Sequence, residues 1–164
     1  MTNLAKLRDK AKKLEQRERW GEALVVYHQL AAEGSDQDLD VGLWNRMGDL
    51  HMRVGQTDQA VKAYEQAVTG YDQAGLHDNA VAICKKILRA VPGYAEVHRS
   101  LGRISAHQGF VADARQSFFR YAEQMRAGGR PDAALDALRE FAELVPDDLE
   151  VRRLIAEGDQ HGGA

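Results

Sequence analysis

WNRMGDLHMRVGQTDQAVKAY, residues 44–64, decides the fold, because its residues recur at fixed offsets through most of the chain. Apolar and small side chains fall at helical spacing on both sides of Gly55, so the stretch reads as two amphipathic helices joined by a turn at that glycine. Gly48 and Ala60 are small where the two backbones would approach closely, and a larger residue there would overpack the crossing. The stretch is one helical hairpin.

Working outward, the pairs Gly48 and Gly102, Gly55 and Gly109, Ala60 and Ala114, Gly75 and Gly129, Ala80 and Ala134, and Pro92 and Pro146 all stand 54 residues apart. This spacing predicts a three-helix unit written twice, over 40–92 and again over 94–146. Its helices are expected near 41–54, 58–74 and 78–91, then near 94–107, 111–127 and 131–145. Gly75 and Gly129 suit C-terminal positions that need a left-handed backbone, Pro131 suits a first turn, and Pro92 and Pro146 cannot continue the helices they follow. Upstream, residues 1–34 form a first hairpin. Its opening helix begins at Thr2 or Asn3, which can cap it, and carries the stripe Leu4, Leu7, Ala11 and Leu14; its second helix follows Trp20 and Gly21. EGSDQDLD, residues 33–40, breaks the pattern as an interhelical loop. Downstream, a short terminal helix is expected over 148–157, and GDQHGGA, residues 158–164, has no apolar face and reads as a flexible tail to a single domain of residues 1–157.

Trp44, Met47 and Gly48 stand at the W-x2-L-G spacing of a tetratricopeptide repeat, with His51 where a Tyr is usual, and Ala60 and Tyr64 supply the later A-x3-aromatic pair. Ala23 and Tyr27 repeat that pair in the first hairpin. The chain therefore resembles the tetratricopeptide repeat (TPR) family, in a variant with a 54-residue three-helix unit. Tyr64, Tyr71 and Pro92 also fit the family's Trp, Tyr and Pro, so the middle helix of each unit packs on both of its neighbours. The resemblance implies an all-α, right-handed α-solenoid of antiparallel helices, about nine in number. It also implies protein binding on a concave surface lined by the first helix of each hairpin. Carried onto this sequence, the groove positions are Arg8 and Lys12, then Asn45, Asp49 and Met52, then Glu96, Arg99 and Arg103. The family's carboxylate clamp needs a Lys and Asn pair on its first such helix; Arg8 and Lys12 stand there instead, which argues against recognition of chaperone tails.

Composition agrees with a folded helical chain: 164 residues, 44% hydrophobic and 29% charged, with three prolines. The net charge of −3 supplies no basic field of the kind that drives nucleic-acid binding, although the first helix is locally positive. A helical-repeat nucleic-acid binder is thus the weaker reading. No apolar run approaches the roughly 18 to 20 residues of a membrane span, and MTNLAKLRDK is charged from the start, so neither anchor nor export signal is visible. The lone Cys84 falls at an apolar helical position, which together with the missing leader points to the cytoplasm.

Hidden chemistry finds little support. Asp36, Asp38 and Asp40 spell D-x-D-x-D, but Val41 and Met47 occupy the positions where a calcium loop needs Gly and Glu. GYDQAG, residues 70–75, lacks the Lys and Ser of a phosphate loop and reads as a helix end. The six histidines form no metal-binding spacing, and no nucleophile sits in a recognisable signature, so no enzyme activity, metal or cofactor is expected.

What remains is surface. Arg99, Arg103 and His107 recur at i, i+4 and i+8 and fall on one helix face, where planar guanidinium forks suit an acidic or C-terminal carboxylate segment of a partner protein. The competing reading pairs Glu96 with Arg99 or Arg103 along the helix. Phe119 replaces Glu65 of the previous unit, which suggests a partner anchor or contact with the terminal helix. A self-associating scaffold, in which open repeat ends pair, is the alternative to a peptide-binding adaptor.

Overall fold

A computed structural model describes residues 2–34 and 40–162 and, among these, contains nine α-helices and no strand. They are α1 (Asn3–Gln16), α2 (Trp20–Glu33), α3 (Gly42–Arg53), α4 (Thr57–Gln73), α5 (His77–Ala90), α6 (Glu96–His107), α7 (Val111–Ala127), α8 (Pro131–Leu144) and α9 (Leu149–Gly162). Two compact units result, residues 1–90 with α1 to α5 and residues 91–164 with α6 to α9. The 54-residue recurrence is carried by both ends of every helix it covers. Helices α3, α4 and α5 have 12, 17 and 14 residues, and α6, α7 and α8 repeat those lengths.

Five hairpin turns share one backbone design. The N–H groups of Arg19, Gln56, Leu76, Phe110 and Arg130 each donate to the carbonyl five residues earlier, at 2.8 to 3.0 Å, which satisfies an orphaned carbonyl at the helix end. The residue just before the donor takes φ of 76° at Gly55, 74° at Gly75, 81° at Gly109 and 72° at Gly129. In the first turn the left-handed residue is Glu18, at φ 55°.

The helices close over aromatic rings laid across glycines. A Cβ placed on Gly48 of α3 would stand 2.4 Å from the Tyr64 ring of α4, and one on Gly102 of α6 would stand 2.6 Å from the Phe118 ring of α7. Ala60, Ala80, Ala114 and Ala134 are completely buried, as close crossings require. Helix α4 packs against both α3 and α5, and α7 against both α6 and α8, so each middle helix serves two hairpins. In the first unit the core joins Leu7 and Ala11 of α1 and Leu24, Tyr27 and Leu30 of α2 to Leu43, Met47 and Leu50 of α3. In the second it joins Phe118 and Tyr121 of α7 and Leu138 and Phe141 of α8 to Val151 of α9, with the Phe118 and Phe141 rings 5.3 Å apart.

Side-chain oxygens accept backbone N–H groups at three helix starts. Thr2 Oγ1 accepts from Ala5 N at 3.2 Å, Asp40 Oδ1 from Gly42 N at 3.0 Å, and Asp148 Oδ1 from Val151 N at 3.1 Å. The expected end of the last helix at Glu157 needs correction, because α9 runs on to Gly162. Tertiary contacts hold what the sequence reads as a tail: Gly158 lies against Leu135 of α8, and Arg139 of α8 meets Asp159 at 2.5 Å. Asp36 and Asp38 of the D-x-D-x-D run lie outside the described residues.

Candidate functional site

The first helix of each repeat presents polar side chains away from its buried stripe, and the structure sorts the groove candidates by what those side chains touch. Arg8 and Lys12, one turn apart on α1, line a cavity of about 500 Å³ within the first unit. Tyr27 and Leu30 of α2 and Leu43 of α3 give it an apolar floor, and Arg46 of α3 adds a third cation.

One carboxylate inside the cavity is fixed. Glu15 of α1 is buried and accepts from Arg46 Nε at 2.9 and 3.0 Å through its two oxygens, with a further bond from Arg46 Nη2. Burial alone would raise the Glu15 carboxyl, but the hydrogen bonds from Arg46 and Tyr27 and the charges of Arg46 and Arg53 hold it below the usual range. Tyr27, buried and next to that carboxylate, is pushed up to about 12 and stays a neutral phenol. Glu15 neutralises Arg46, and Arg8 and Lys12 line the same cavity from α1.

Asn45 and Asp49 lie on α3, and the structure brings both to one partner from α5. Lys86 Nζ donates to Asn45 Oδ1 and Asp49 Oδ1 at 2.8 Å each, and Tyr64 OH donates to the same Asp49 oxygen at 2.7 Å. In the second unit Arg99 and Arg103 of α6 converge on Glu140 of α8. Arg99 Nε lies 2.5 Å from Glu140 Oε2, and Arg103 Nε donates to the other oxygen. These two clasps occupy equivalent places, Asn45, Asp49 and Lys86 in one unit and Arg99, Arg103 and Glu140 in the other, and the Asp49–Lys86 pair is reversed in charge as Arg103–Glu140. Glu140 would be raised by burial, yet the hydrogen bonds and charges of Arg103 and Arg99 hold it below the ordinary carboxyl value. Glu96 does not pair along its helix with either arginine as the sequence suggests; it accepts from Tyr121 OH at 2.9 Å, while Arg99 lies over the Tyr121 ring at 5.6 Å. Lys86 and Glu140 escape a reading of groove positions because they sit on the third helix of each unit. The 54-residue offset that pairs them carries the signal, since Asp49 and Lys86 are replaced by Arg103 and Glu140 in the sequence itself.

The other candidates are scattered. Met52 is exposed on α3 and His107 is exposed at the end of α6. Phe119 is half-buried against the second core, with the Arg115 guanidinium 5.8 Å from its ring, and Arg115 is itself held by Asp148 and by Glu150 at 2.5 Å. A different pair, 23 residues apart in the chain, is brought together by α2 and α3: His28 Nε2 stands 3.3 Å from His51 Nε2. Burial, then the neighbouring His51, lowers the His28 pKa below 6.5.

Little else offers chemistry. The Cys84 thiol is buried and pushed up to about 12, chiefly by desolvation, so it is not a nucleophile. Among the described residues no group of three or more His, Cys, Asp or Glu converges, and no helix is long and apolar enough to cross a membrane.

Nine helices among the described residues, six of them in a three-helix unit written twice, with glycine turns and aromatic rings over glycines, define an all-α helical-repeat solenoid. Two family models, both described as tetratricopeptide repeat, match residues 45–128 and 115–158. The chain belongs to the tetratricopeptide repeat family. It is similar in structure to a TPR protein of Parabacteroides merdae at 15% identity, over 98% of this chain and 73% of that one, with a TM-score of 0.38. It is likewise similar to TPR-like repeats of a kinesin light chain from Podosopora anserina at 15% identity, over 98% and 96%, with a TM-score of 0.46. A thermophilic TPR protein of Thermus thermophilus gives 18% identity over 94% and 98%, with a TM-score of 0.34. A search of curated proteins returns no match.

Proposed function

We propose that this protein is a protein-interaction module that seats a peptide segment in the cavity between α1, α2 and α3, taking an apolar side chain against Leu30 and Leu43 and a carboxylate at Arg8 and Lys12. The observation that carries the reading is the combination of an apolar floor with a cationic rim whose third cation already has its counter-charge in Glu15. A carboxylate entering there meets two cations without displacing an internal partner of Arg46. The Arg99 and Arg103 stripe, closed on Glu140, is the second choice for the same chemistry. Preformed helices lose little conformational freedom when they bind, so a short segment suffices.

The test is fluorescence polarisation against a panel of peptides that vary independently in acidic content and in one apolar anchor. Peptides with both features are expected to bind, and Arg8→Glu with Lys12→Glu is expected to abolish that binding while circular dichroism stays helical. Unchanged affinity in the double variant would end this assignment. Loss of binding in Arg99→Glu with Arg103→Glu instead would move the site to the second unit.

A further inference from the structure

We propose that His28 and His51 form a two-imidazole chelate for a zinc ion, which would staple α2 to α3 in the first unit. The helix faces alone would not pair these residues, but the fold brings their Nε2 atoms to 3.3 Å from each other. Zinc binds imidazole nitrogen at 2.0–2.1 Å, and two such donors at a tetrahedral angle stand about 3.3 to 3.4 Å apart. At a right angle, as in the square-planar coordination copper(II) prefers, they would stand only about 2.9 Å apart. The observed separation is the tetrahedral one.

The outer contact of His51 also prepares it for this role. Its Nδ1 lies 2.7 Å from Gln56 Oε1, and a carbonyl oxygen can only accept, so Nδ1 carries the proton and Nε2 keeps its lone pair. Imidazoles that ligate metals are commonly oriented in this way by a carbonyl or carboxylate on the opposite nitrogen. His51 is 5% exposed and therefore held in place, while His28 is exposed, so an ion can reach the pair from solvent and complete its shell with water. No proton need leave the protein on binding near neutral pH. His28 shifts its ring proton to Nδ1, and both Nε2 atoms donate their lone pairs to the ion. The alternative occupant of the gap is that proton itself, with His28 Nε2–H donating to His51 Nε2 as an ordinary hydrogen bond.

Titration of the untagged full chain with zinc chloride at pH 7.5, in competition with a chromogenic chelator, decides between them. One zinc per chain is expected, together with a rise in melting temperature. His28→Ala should weaken binding more than tenfold and erase the thermal shift, and His161→Ala should change neither. Gln56→Ala should weaken binding about ten- to a hundredfold, the usual cost of an outer-shell partner. Because His28 is exposed, its variant keeps the fold even where His51→Ala fails to. Absence of one-to-one binding, or binding unaffected by His28→Ala, would leave the pair as a hydrogen bond and overturn the proposal.

Discussion

At Gly102 a methyl group has no room, because the Phe118 ring lies 2.6 Å from where it would go and Phe118 is itself fully buried. Gly102→Ala is therefore expected to destabilise the protein by about 1–3 kcal/mol through overpacking, read as a lower urea midpoint with an unchanged slope. Ala114→Leu, at a completely buried crossing, belongs to the same class and should behave alike. Glu18 shows the opposite opportunity. It adopts φ 55° where the four equivalent turns use glycine, and a side chain in the left-handed region carries a steric penalty. Glu18→Gly should stabilise by up to about 1 kcal/mol in the same denaturation experiment, after the greater freedom of glycine in the unfolded chain is subtracted.

At the scale of elements, the two clasps tie the first helix of each unit to the third. Lys86 and Asp49 are each partly exposed, so their coupling is modest. A double-mutant cycle on Asp49→Ala and Lys86→Ala should return about 0.2–1 kcal/mol, and a zero coupling would show that the pair only decorates the surface. The carboxylates give a pH signature whose sign follows from their direction of shift. Glu15 and Glu140 both lie below 4.5 in the folded protein, so the stability they contribute is present above that value and is lost as the pH falls through their folded pKa values. Thermal melts from pH 6 down to pH 3 should show this loss, and Glu140→Gln should flatten part of it. His28, also lowered, adds a loss at higher pH, as acidification passes below 6.5. His28→Ala should remove that component of the melt.

For the whole molecule, binding in a cavity inside the first unit requires no second copy of the chain. Sedimentation equilibrium over a tenfold concentration range is expected to return the 18.2 kDa monomer mass. A mass that rises with concentration would favour the self-associating scaffold instead. Far-UV circular dichroism should show helix without strand, in keeping with the nine helices of the described residues.

Much of this architecture is already written in the order of residues. Helical period, glycine turns, Pro131 at a first turn and the 54-residue offset between units are local or repeated features, and a local feature can be read without knowing what packs on it. The length of α9 could not be read that way. Gly158 and Asp159 look like helix breakers in a polar tail until Leu135 and Arg139 of α8 are set beside them. Side-chain partners show the same limit. Sequence placed Arg99 and Arg103 on one face, but which charge meets them depends on Glu140, 37 residues beyond Arg103 and brought close only by the packing of α6 with α8. The sequence thus determined the helices, their turns and the repeat, because backbone preference and hydrophobic period are properties of neighbouring residues. Tertiary structure alone decided which carboxylates meet Arg46, Arg99 and Arg103 and which imidazoles come together, because Coulomb attraction and hydrogen bonding act through space at distances that chain separation does not reveal.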